Sequence, residues 1–208
     1  MMAAIRLTAL GDSFVEGRGD PGATGAGYGW VLRLATLLGV PEQRVRNLGT
    51  HQATTQQVVD HQLPWALANK SPVIGVIVGV NDLVSDFHPV RFRDNLTTIF
   101  GGLTGMDTVV FTATYADIPA NLVVPETFRA LLRERFAMAN EMLRAITAAT
   151  GALCLDVTTV AEWSQPDMWV ADGLHPSPRG HQWFAESVAG LLERAIGMPL
   201  AAVPTAIL

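Results

Sequence analysis

The sequence predicts an α/β protein, a three-layer α/β/α sandwich built on a five-stranded parallel sheet. Three observations carry that reading. Strand-like and helix-like stretches alternate along the chain. Residues 72–80 (Pro-Val-Ile-Gly-Val-Ile-Val-Gly-Val) are β-branched and apolar on both faces, as a central parallel strand covered by helices must be. Glycine and proline stand where such units turn, with Gly39 and Gly151 ending helical stretches and Pro178 starting one. Strand–helix–strand units in one sheet then require right-handed crossovers.

The elements follow in order. Residues 4–10 read as the first strand, emptying into Gly11-Asp12-Ser13. Trp30, Val31, Leu34, Leu37 and Leu38 recur at helical spacing within 28–38. A short strand spans 44–48. Thr54 or Thr55 caps a helix running to about Asn69, with a kink expected at Pro64. The third strand, 72–80, precedes a helix marked by Phe92, Leu96, Ile99, Phe100 and Leu103. Residues 108–112 are the fourth strand. A long helix begins near Pro125 and carries an apolar stripe to Gly151. Residues 152–157 are the fifth strand. Ser177-Pro178 reads as N-cap and first position of the last helix.

At 208 residues the chain fits a single domain, expected over 1–197, with an apolar, proline-interrupted tail at 198–208. The tail is too short to span a membrane and is expected to pack on the body or on a neighbouring subunit. A net charge of −5 without a basic cluster argues against a nucleic-acid surface, which needs cations for phosphates. A single cysteine, Cys154, permits no intrachain disulfide and reads as a small buried hydrophobe. Arg6 interrupts the start of the chain before a secretory core could form, and no uninterrupted apolar run reaches the ~18 residues of a membrane span. A cytoplasmic protein is expected.

In open parallel sheets ligands sit beyond the carboxyl ends of the strands. The unusual residues collect there: Ser13 after strand one, Gly49 after strand two, Asn81-Asp82 after strand three, and Asp172-Gly173-Leu174-His175 on a long loop after strand five. A serine hydroxyl is a weak nucleophile until a base takes its proton, and His175 suits that role because imidazole titrates near neutrality. Asp172, three residues earlier, can hold one ring nitrogen and fix the tautomer. The N–H groups of Ser13 and Gly49 and the Asn81 amide are candidate donors to the oxyanion of a tetrahedral intermediate. His51, Tyr115 and Trp169, with Trp163, are candidates for the substrate pocket. Asp82 is expected to organise its loop, and Arg18 and Asp20 either pair or face water.

The blocks Gly11-Asp12-Ser13-Phe14, Asn47-Leu48-Gly49, Gly79-Val80-Asn81-Asp82 and Asp172-Gly173-Leu174-His175-Pro176 occur in the order found in GDSL (SGNH) hydrolases, which the chain resembles over nearly its whole length. The resemblance implies a flavodoxin-like fold and ester hydrolysis needing no metal or other cofactor. Ser13 would be the nucleophile, Gly49 and Asn81 oxyanion donors, and Asp172 and His175 the rest of the triad. Two departures stand out: Phe14 replaces the leucine of the first block, and Gly49 is followed by Thr-His-Gln rather than by small residues. A small-molecule carboxylic ester is the expected substrate, and a thioester is chemically similar. Acyl transfer or lysophospholipase-like action on the same site is the alternative. A metal-dependent phosphoesterase using Asp12, Asn81, Asp82 and His175 and a non-catalytic binding module are the competing readings. The former lacks a histidine where Phe14 stands, and nothing in the residues motivates the latter.

Overall fold

The strands assemble in the order β2-β1-β3-β4-β5, all parallel, in a computed structural model that describes residues 6–22, 27–105 and 107–196. They are β1 (Leu7–Gly11), β2 (Val45–Asn47), β3 (Val73–Ile77), β4 (Val109–Ala113) and β5 (Leu153–Leu155). This is the flavodoxin-like doubly wound order. Its direction of winding reverses between β1 and β3, which opens a crevice at their carboxyl ends. β1 and β3 are buried at every position, and their apolar runs have no solvent-facing side to encode.

The helices are α1 (Ser13–Glu16), α2 (Gly29–Leu37), α3 (Thr55–Gln57), α4 (Leu63–Ala68), α5 (Val80–Val84), α6 (Pro89–Leu103), α7 (Glu126–Thr150) and α8 (Pro178–Ile196). With right-handed crossovers, α2 and α8 pack together on one face of the sheet, and α4, α6 and α7 on the other. Trp30, Phe111 and Phe184 meet edge-to-face in the first layer, with ring centroids 5.2–5.8 Å apart. Phe14, which stands where the resemblance expects leucine, is half-buried and packs against this cluster, 5.0 Å from Phe184 between ring centroids.

Several boundaries differ from expectation for physical reasons. β1 reaches Gly11, one residue further than its hydropathy suggests, because Gly11 still pairs opposite Ile77. Gly11 has φ +151°, and a Cβ there would lie 1.8 Å from the Ile77 carbonyl oxygen, so only glycine fits. The helix expected over 54–69 starts as anticipated, with a capping box between Thr54 and Gln57. It then widens into a π-helical turn over Val58–Gln62, and α4 begins just before Pro64. Proline offers no N–H to the ladder, and the chain accommodates it with a wider turn rather than a sharp kink. β5 is only three residues long because Asp156 already turns to cap Thr158. The expectations for residues 4–5 of the first strand and for the tail at 198–208 lie outside the described residues. Among the described residues no helix is long and apolar enough to cross a membrane.

Candidate active site

β1 ends at the crevice and the chain turns at once into α1. Asp12 is the N-cap of that short helix, its carboxylate accepting the Phe14 N–H at 3.0 Å. Ser13 is therefore the first helical residue rather than part of an open turn. Its N–H belongs to the first turn, where no helical carbonyl is available to accept it. Ser13 is 6% exposed, with Oγ 2.9 Å from Nε2 of His175. The other ring nitrogen, Nδ1, lies 2.7 Å from Asp172 Oδ2. An ionised carboxylate only accepts, so Nδ1 carries the proton and Nε2 presents its lone pair to the Ser13 hydroxyl.

Asp172 and His175 owe their placement to the loop after β5. Trp169 and Pro176 form an isolated antiparallel bridge that closes this loop. Val170 N–H donates to His175 O and Ser177 N–H to Met168 O, tightening the turn at its neck. Within it, Asp172 Oδ1 accepts the N–H groups of Leu174 and His175 at 2.8 and 2.9 Å. Partial burial pushes the Asp172 carboxyl upward, but those two N–H groups and the imidazole outweigh it and hold its pKa below the ordinary value. Ser177 Oγ accepts the Gly180 N–H and caps α8 as its sequence suggests.

The rest of the crevice departs from expectation in part. Asn81 stands at the start of α5, one of its amide protons going to the Ala53 carbonyl at 3.0 Å. The second is left for another acceptor. Gly49 donates its N–H to Asn47 Oδ1 at 2.8 Å, within its own loop. Glycine is needed at 49 because a Cβ would lie 2.3 Å from the Glu16 nitrogen of α1. Asn47 completes this contact by donating to Val15 O at 2.7 Å. Three residues on, Gln52 takes φ +63°, the one non-glycine among the described residues in the left-handed region.

Of the pocket candidates, the exposed His51 has its ring 6.4 Å from that of His175, with Nε2 3.4 Å from Arg18. Arg18 therefore approaches His51 and not Asp20, which is buried and salt-bridged to Arg33 at 2.7 Å. Tyr115 and Trp169 are buried; the Tyr115 hydroxyl donates to Val78 O and the Trp169 indole to Trp163 O. Asp82 holds its loop by accepting both the N–H and hydroxyl of Thr55, at 2.9 and 2.7 Å. Both of its oxygens thus hold Thr55, and through it the start of α3. Burial raises the pKa of Asp82 and pushes Asp12 up to about 7.

Two positioning groups escape the sequence. Gln62, on the π turn, accepts the Gly11 N–H at 2.7 Å and donates to Gly11 O at 2.9 Å. Beyond the last β1–β2 pair at Ala9, Leu48 N–H still donates to Ala9 O and Thr50 N–H to Gly11 O, so the Gln62 amide takes up the Gly11 N–H and shares its carbonyl with Thr50. His181 is fully buried, although it reads as an ordinary surface or helix residue. It accepts the Trp30 N–H and donates to Arg18 O, tying the loop after α1 to α8. The widened turn at Pro64 is the only local hint of the first, and nothing local hints at the second.

Solved structures with this fold include a lipase/acylhydrolase from Enterococcus faecalis, at 22% identity and TM-score 0.71 over 97% of this chain and all of that one. The acetylxylan esterase Axe2 from Geobacillus stearothermophilus is similar at 18% identity and TM-score 0.73, covering 91% and 94% of the two chains. LAE5, an alpha/beta hydrolase enzyme from the metagenome of Lake Arreo, Spain, matches at 22% identity and TM-score 0.70 over 92% and 96%. At these identities the likeness establishes the fold. No curated protein matches the chain in sequence. The profile of the GDSL-like lipase/acylhydrolase family matches residues 9–183, so by fold and by sequence the chain belongs to that family of carboxylic ester hydrolases.

Proposed function

We propose that the protein is a serine esterase in which Ser13, His175 and Asp172 act as a triad through an acyl-enzyme. The observation that carries this reading is the continuous hydrogen-bonded line from the Ser13 hydroxyl through the imidazole to a carboxylate. Ser13 Oγ attacks the ester carbonyl while its proton passes to His175 Nε2. Asp172 stabilises the resulting imidazolium and keeps the ring oriented. The oxyanion is received by the Ser13 N–H and the second Asn81 amide proton, with Gly49 left to its packing role. Collapse expels the alcohol, or the thiol of a thioester, which takes the proton from His175. Water then adds to the acyl-enzyme, giving its proton to His175, and the acid leaves as Ser13 recovers its hydrogen.

The test is direct. Wild type should be labelled at Ser13 by a fluorophosphonate and should turn over p-nitrophenyl acetate. Ser13→Ala should lose the label and at least about 10⁴-fold in kcat. Undiminished turnover by the folded variant would refute the assignment.

A further inference from the structure

Beside the proposed triad lies a cavity walled by the sequence neighbours of Ser13 and His175. Asp12 and Phe14, the neighbours of Ser13, form part of its wall, as do Leu174 and Pro176, the neighbours of His175. The cavity therefore adjoins the segments that carry both reacting groups. The floor is made by chain just beyond β4 and β5, notably Ala116 and Val157, and the far side by Trp163. The lining is overwhelmingly apolar. Its polar neighbours are engaged elsewhere: the Asp12 carboxyl accepts the Phe14 N–H, the Thr114 hydroxyl bonds Asp156 and Val157, and the Tyr115 hydroxyl donates to Val78 O.

The cavity measures about 70 Å³, inside a depression of about 540 Å³ that includes the open mouth. A cavity of roughly 150 Å³ accommodates a benzene ring. Half that space suits a chain of a few carbons and excludes a fatty-acyl tail. The walls do not yield easily: Trp163 and Trp169 lie 5.2 Å apart between ring centroids, Trp163 and Trp183 5.4 Å, and both Trp163 and Trp169 are buried. A longer chain would have to displace the indoles of Trp163 and Trp169, the first of them backed by Trp183, and packed interiors resist such shifts.

We infer that this cavity receives the acyl group of the substrate and limits it to two to four carbons, so that the enzyme acts on short-chain esters. The inference rests on the serine-esterase reading. The alcohol portion then faces the open side of the crevice, toward His51 and Arg18, where the structure sets no comparable limit on size.

The experiment is a chain-length profile with p-nitrophenyl esters from acetate to decanoate, run on wild type, Ala116→Leu and Val157→Ala. Wild type should peak at acetate to butyrate, with kcat/KM for octanoate at least a hundredfold lower. Ala116→Leu, which fills the cavity, should lower the butyrate-to-acetate ratio at least tenfold. Val157→Ala, which enlarges it, should move the optimum to longer chains, and it decides the matter should Ala116→Leu fail to fold. A wild-type optimum at octanoate or longer overturns the inference, and so does a profile unmoved in folded variants. In both cases fluorophosphonate labelling of Ser13 would persist, whereas failure of the esterase reading itself would remove labelling and turnover together.

Discussion

Asp172 divides its carboxylate between two tasks, one oxygen gathering the N–H groups of its own turn and the other holding the imidazole. Asn81 is divided in the same way, one amide proton anchoring Ala53 and the other left for a second acceptor, which we propose is the oxyanion. A preorganised donor matters most in the transition state, so Asn81→Ala should cost about 10²–10³-fold in kcat with little change in KM. Stopped-assay kinetics on a short ester would measure it, and a loss confined to KM would assign Asn81 to binding instead. Gly49 carries the opposite lesson. Its neighbours in sequence mark it as a donor; its N–H goes to Asn47, and its missing Cβ is what lets the β2 loop lie against α1. A glycine shows in sequence that something approaches closely; which atom approaches is a property of chain that is distant along the polymer.

At the scale of elements, the π turn between α3 and α4 is where a local irregularity serves the site. It aims Gln62 at Gly11, where its amide accepts the N–H that the chain after β2 does not take. Gln62→Leu keeps the volume but leaves the buried Gly11 N–H without a partner. It should destabilise the fold by about 1–3 kcal/mol. Because Gly11 lies two residues before Ser13, kcat should also fall, by roughly tenfold, since small misplacements of reacting groups are costly. Urea unfolding and steady-state kinetics would check both, and a variant that loses stability with kcat intact would show that the clamp does not position the nucleophile. The strands and most helices were legible because each is written in a local pattern: the doubly buried run of β3, the stripe of α7, the Ser177-Pro178 start of α8. The π turn was only half legible. Pro64 announces a break, but whether the helix kinks, stops or widens depends on what the neighbouring strand needs.

For the whole molecule, burial of ionisable groups near the crevice makes stability depend on pH from two sides. His181 is buried as a neutral ring with its pKa depressed to about 4, principally by loss of water. The unfolded chain binds its proton more readily, so stability falls as pH drops from about 6.5 toward 4, by up to about 3 kcal/mol. Asp12 acts in the other direction. Burial raises it to about 7, so folding favours the protonated acid, and stability is lost as pH rises from about 4 to 7. Asp12→Asn retains an oxygen for the Phe14 N–H and cannot ionise. Its stability relative to wild type should therefore be greater at pH 8 than at pH 5, by about 2–3 kcal/mol, read from urea melts at the two values. Equal differences at both would show that Asp12 is not held as the neutral acid. By itself the order of residues determined the alternating α/β architecture and the chemical types gathered at the strand ends, since both follow from periodicities and turn residues within a few positions of each other. Only the tertiary structure decided that Ser13 and His175, 162 residues apart, meet at 2.9 Å, that Gly49 gives its N–H to Asn47, and that Gln62 and His181 hold the chain on either side of Ser13. Those outcomes depend on which distant groups compete for the same hydrogen bonds and the same space, and that competition exists only once the layers have packed.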